Sequence, residues 1–283
     1  MAVAQNVVEE YRQSWALNRI LSDRGRVLTA LAALDLYFAD AGRAGFSVAQ
    51  LRKDAAHHGF ASPGRITAWA ATLRALGYLA SGAPGRPQRL IPTKSFFAMF
   101  RSRMQRTWQH LEMIHPPARR AIKLLEEEEF LGHIAAGFMG RYRNRQRVLE
   151  VAPELAEIAE REGAICILLS IMLTEAAGGR LSIASLAREF AVSRAHVRSI
   201  LEDAETMGLV KRAREKAEYY AQPRLTDWMR RFFAALFQTH IYMIDYAIRR
   251  HVPETTEPAE YANQARGLRE APDHSVGVEP FGD

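Results

Sequence analysis

One cysteine, Cys166, stands among 283 residues. A lone thiol can neither close an internal disulfide nor build a cysteine zinc site, so the composition fits a reducing compartment and a cytoplasmic location is expected. Long hydrophobic runs are missing too. The longest uncharged apolar stretch, Ala164 to Thr174, falls far below the roughly 20 residues that cross a bilayer, so no membrane partner is expected. The opening residues hold no basic segment followed by an apolar one, which argues against a secretory leader. There is no phosphate-cradling glycine loop, dinucleotide fingerprint, HExxH or nucleophile elbow, and His57, His58 and His133 lack companions at metal-ligand spacing. The expectation is therefore a non-enzyme with no catalytic residue, cofactor or metal.

What is present is apolar mass and positive charge. Hydrophobic residues make up 48% of the chain, enough for one large domain or two ordinary ones. The formal net charge is +6, and it is unevenly spread. Residues 252–283 hold seven acids and two Arg, so the rest of the chain is at +11, a balance suited to a polyanionic partner.

An internal repeat organises the sequence. Phe46-Ser-Val-Ala-Gln-Leu51 matches Leu181-Ser-Ile-Ala-Ser-Leu186 at an offset of 135, and after a shift of four the match continues at 131. Ser62 then faces Ser193, Gly77 faces Gly208, and Pro92 faces Pro223. In the second copy Ser182 caps a short helix, Ala191-Val192 makes a turn, and Ser193 caps a second helix. That helix puts Val197, Ile200, Leu201 and Ala204 on one face, leaving Arg194, His196, Arg198 and Ser199 to look outward. Gly208 ends it, and 209–221 reads as two short strands around a basic loop with Lys211, Arg212, Arg214 and Lys216. The first copy repeats the plan. Ser62 and Pro63 open its helix, Arg65 and Thr67 are exposed early in it, and a breaker-rich loop carries Arg86 and Arg89.

Helix, turn, helix, then a small β-hairpin describes a winged helix, and basic side chains on an outward helix suit the roughly 12 Å wide major groove of DNA. The stretch from Val192 to Val210, closing on Gly-Leu-Val, resembles the recognition-helix pattern of the multiple-antibiotic-resistance regulator (MarR) superfamily. The chain departs from that family in lacking its Asp-x-Arg wing motif and in carrying two copies, as a fused pseudo-dimer would. The resemblance implies double-stranded DNA as partner, and a small apolar effector held between winged helix and pairing helices, for which Trp69, Trp108, Trp228 and the Phe residues are the candidate lining. It also implies pairing through the long apolar helices, either of the two halves or of two chains through 226–250.

The expected fold is mainly α with small β wings, tandem winged helix-turn-helix domains joined by long helices. Residues 1–16 are assigned to an N-terminal helix, 17–114 to the first winged helix with its pairing helix, and 115–154 to a helical linker broken near Gly137 and Gly140. Residues 155–250 form the second winged helix with a long C-terminal helix, and 251–283 a disordered acidic tail. Ser95 and Thr226 are placed as caps of the two long helices. The expected function is a transcriptional regulator reading an imperfect inverted repeat through 62–77 and 193–208, with Ser62, Arg65, Thr67, Arg86, Arg89, Ser193, Arg194, His196, Arg198, Lys211, Arg212, Arg214 and Lys216 on DNA. A protein-docking module and a plasmid replication initiator are the alternatives. Arg141, Arg143, Arg145 and Arg147 either face solvent or meet phosphates, and Cys166 is buried and inert.

Overall fold

The computed structural model describes residues 4–5, 7–9, 23–85, 87–148, 158–213 and 218–251. Arg86, Arg214, Lys216, the 252–283 tail and most of 1–16 fall outside the described residues. The chain is mainly helical with two small antiparallel sheets.

Local signals set most boundaries. Helix α1 (Arg24–Ala39) starts where the Asp23 carboxylate accepts from the Arg26 amide, then strand β1 (Phe46–Ser47) leads into α2 (Val48–His58), which opens on a capping box of Ser47 and Gln50. Ser62 caps α3 (Pro63–Ala75) with proline in its first turn. Gly77, at φ +75°, turns the chain into β2 (Leu79–Ser81), and β3 (Arg89–Pro92) returns antiparallel with Leu79 opposite Pro92. The proline-rich segment thus forms only the tip of a hairpin. Helix α4 (Lys94–Leu111) follows, capped by Thr93 rather than Ser95, and α5 (Pro117–Leu124) and α6 (Glu128–Arg143) complete this half.

The same sequence of elements then recurs. Helix α7 (Ala164–Ala176), β4 (Leu181–Ser182), α8 (Ile183–Glu189), α9 (Arg194–Thr206), β5 (Val210–Arg212) and β6 (Glu218–Ala221) lead into α10 (Pro223–His251). Ser193 caps α9, and Gly208, at φ +69°, follows it. The sheets have matching strand orders, β1-β3-β2 and β4-β6-β5. Helix α10 starts at Pro223, three residues before the expected Thr226 cap, because proline is well suited to a first helical turn.

Two hydrophobic cores result. The first gathers Leu34, Phe46, Ile66, Trp69, Phe96, Trp108, Phe130 and Ile134. The second gathers Ile167, Leu169, Leu186, Phe190, Ile200 and Leu209, with Ala4 and Val8. Helix α10 belongs to both: Leu225, Trp228 and Met229 complete the second core, while Met243, Ile244 and Ala247 complete the first. Its wide apolar stripe therefore joins the two halves of one chain. Two histidines fasten its far end, His115 Nε2 to Asp245 Oδ1 at 2.8 Å and His251 Nε2 to Glu127 Oε2 at 2.9 Å.

The expected break near Gly137 and Gly140 is absent, since α6 runs unbroken through both. Glycine serves close approach here. A Cβ on Gly132 would lie 2.5 Å from Phe38 Cγ in α1, and one on Gly137 would lie 2.8 Å from the Tyr246 ring in α10. Within 115–148, Ala118, Ala121, Phe130, Ile134 and Met139 are part of the first core. Gly132→Ala should destabilise the protein by about 1–3 kcal/mol through overpacking, despite the better helix propensity of alanine. A thermal melt checks this, and an unchanged or raised Tm would contradict the close contact.

Candidate nucleic-acid interface

Two of the Ser-capped helices, α3 and α9, present unequal outer faces. On α9, Val197, Ile200, Leu201 and Ala204 are buried in the second core, while Arg194 and Arg198 are exposed and have no hydrogen-bond or ion-pair partner among the described residues. Lys211 and Arg212 stand exposed on the hairpin that follows. On α3, Ile66, Trp69, Ala70 and Leu73 are buried, which settles Trp69 as core, and Thr67, Ala68, Ala71 and Arg74 are exposed. Thr67 is already engaged: its Oγ1 accepts from Arg52 Nε at 3.1 Å and donates to the Pro63 carbonyl at 2.9 Å.

The third residue of each helix points elsewhere. Arg65 of α3 reaches Asp23 Oδ1 at 2.7 Å and Glu160 Oε2 at 3.4 Å. His196, its equivalent in α9, donates its Nε2–H to the Glu162 carbonyl at 3.0 Å. Arg24 pairs with Glu160 and Arg26 with Glu162 (3.3 Å), partners 136 residues apart. The start of α1 therefore meets the segment that leads into α7, and the first turns of α3 and α9 converge on one ionic cluster. Ser199 does not look freely outward either, because Arg161 Nη2 donates to its Oγ at 2.8 Å. Arg161 also pairs with Asp203.

Sequence reasoning missed this cluster, since its partners lie about half the chain apart and no local pattern marks them. Of the other residues expected on DNA, Ser62 and Ser193 are exposed caps. Arg89 opens β3 beside the tip of the first hairpin, bonded to Asp40 Oδ2 at 3.2 Å and to the Gly45 carbonyl at 2.6 Å. Arg86, Arg214 and Lys216 lie outside the described residues. The alternating arginine run divides among partners: Arg141 lies over the Tyr242 ring, Arg143 pairs with Asp35 (2.6 Å) and Asp54 (2.9 Å), and Arg147 donates to the His58 carbonyl. Only Arg145 of the four is exposed.

The expected effector lining is also revised. A cavity of about 280 Å³ lies between the halves, bordered by Phe100, Met104, Phe138, Phe232, Phe233 and Met243. Trp69, Trp108 and Trp228 are core residues that do not line it. Among the described residues no cluster of His, Cys, Asp or Glu could hold a metal ion, and no helix is long and apolar enough to cross a membrane. No protein-family model matches the chain, and no match was found among curated proteins or solved structures.

Proposed function

We propose that the chain is a DNA-binding transcriptional regulator in which two winged-helix units, about 17–114 and 155–250, act as an in-chain pseudo-dimer resembling the MarR superfamily. The observation that carries this reading is the pair of exposed guanidinium groups without a partner among the described residues, Arg194 and Arg198, on the outer face of a capped helix followed directly by a basic hairpin. Guanidinium is the group that reads guanine O6 and N7 in a bidentate manner. The duplicated element order supports a two-part site, and convergence of α3 and α9 on one cluster supports simultaneous presentation of both helices. Because the exposed residues of α3 and α9 differ, the two half-sites should differ too, with centres about one helical turn apart.

The test is salt-dependent retention of genomic fragments, followed by sequencing of what is retained. Absence of retention would favour the protein-docking reading. Arg194→Ala or Arg198→Ala should weaken specific binding by about 1–3 kcal/mol and relax specificity at one base pair. Equal losses on specific and random DNA would mean that the side chain meets phosphate instead. Arg65→Ala should cost less affinity than either, because Asp23 and Glu160 already hold that side chain. Replacing Lys211 and Arg212 by Gln should flatten the slope of log affinity against log salt by somewhat under one unit for each phosphate no longer neutralised.

A further inference from the structure

Three consecutive residues, Glu160, Arg161 and Glu162, form the turn that leads into α7, and between them they touch both α3 and α9. Their charges alternate, and so do their partners. Glu160 pairs with Arg24 at the start of α1 and with Arg65 of α3 at 3.4 Å, and Glu162 pairs with Arg26 at 3.3 Å. In these three pairs the cations come from the first half and the anions from the second. Arg161 turns the other way, donating to Ser199 Oγ at 2.8 Å and pairing with Asp203, both on α9. The Glu162 carbonyl adds a further tie to α9 by accepting from His196 at 3.0 Å. A lone half-exposed ion pair contributes little, but these pairs share members. Glu160 serves two guanidinium groups, and buried Asp23 serves Arg26 and Arg65 while capping α1.

The other connection between the halves, α10, leaves one freedom open. The residues it lends to the second core, up to Met229, and those it lends to the first, from Met243, are separated by roughly 20 Å of helix. A single shared rod fixes the separation of two bodies along its length better than their rotation about its axis. Rotation matters for reading a duplex. Moving one half-site by a single base pair shifts it about 3.4 Å along the DNA and turns it about 35° around the helix axis, so a rigid pair of helices cannot follow.

We propose that Glu160, Arg161 and Glu162 form a latch that fixes the orientation of α3 relative to α9 and thereby sets the half-site spacing the protein accepts. Glu160 and Glu162 are the positioning residues that hold the first half, and Arg161 is the one that holds α9. The effect on spacing rests on the DNA-binding reading, whereas the latch itself does not.

Pulsed electron-spin distance measurements on the full chain without DNA test the latch. Labels go on the exposed positions Ala71→Cys of α3 and Glu202→Cys of α9, in a Cys166→Ala background. A narrow distance distribution is expected with the latch intact, and Glu160→Gln with Glu162→Gln should broaden it while leaving the far-ultraviolet spectrum unchanged. Salt at about 1 M should broaden it too, though less, since half-buried pairs are only partly screened. No broadening in either condition would overturn the latch, and the salt arm keeps both glutamates in place. Duplexes carrying the retained site with one base pair inserted or removed between its halves test the effect on spacing. Protein with the latch intact should lose about tenfold or more in affinity for each altered spacer, and the glutamine variant about threefold or less. An unchanged spacing preference beside a broadened distribution would overturn the role in spacing. Distances that broaden as expected in a protein that retains no DNA would overturn the regulator reading and uphold the latch.

Discussion

Lowering the pH from 6.5 to about 4 should cost the protein about 3 kcal/mol of stability through one side chain, His240, and His240→Gln should abolish that loss. Burial pushes the His240 imidazole from 6.5 down to about 4, helped by the charge of Arg103. Between those values the unfolded chain binds a proton that the folded protein refuses, so acidification favours unfolding across this window, and the penalty is complete below it. Glutamine keeps an oxygen for the Trp108 indole and carries no titrating group. Denaturant unfolding of both proteins at several pH values gives the difference directly, and subtracts the histidines and carboxylates common to both. Parallel curves would mean that the folded protein accepts the proton on His240 readily.

A second large effect is expected from Ile244→Ala. The side chain is fully buried where α10 enters the first core, and truncation of such a residue costs about 2–5 kcal/mol. Because the same helix carries Trp228 and Met229 in the second core, the loss should not stay local. Unfolding followed by tryptophan fluorescence and by circular dichroism should give coincident transitions, both shifted to lower denaturant. If the transitions separated, with the second core melting at its original midpoint, α10 would not couple the halves.

Residues close in sequence told most of what they touch. Asp23, Ser47, Ser62, Ser182 and Ser193 each cap a helix through an amide a few residues on, and Gly77 and Gly208 close helices in both repeats. These are short-range hydrogen bonds and backbone conformations, so the residue type alone announces them. Gly132, Gly137 and Gly140 carry the same residue type with the opposite outcome, because the deciding partners of the first two, Phe38 and Tyr246, lie about one hundred residues away. Arg65 and His196 were legible as early residues of an outward helix. Their sequence positions do not record that carboxylates and carbonyls of 23 and 160–162 fold back to meet them. The cavity was least legible, since its apolar walls come from helices whose side chains each read as ordinary core.

The double membership of α10 also bears on how the protein is made. A ribosome that has released residues through 143 has supplied every described helix of the first half, yet Met243, Ile244 and Ala247 are still about one hundred residues from synthesis. The Trp108 indole waits for a partner 132 positions downstream. At ribosomal rates of about 5–20 residues per second, the apolar surface that α10 will cover stays open for roughly 5–20 s. During that interval it is available to a chaperone, or to the same surface on a neighbouring nascent chain. Vectorial synthesis normally lets an N-terminal unit fold first, but here the unit that begins folding earliest is completed by α10, the last of the described helices.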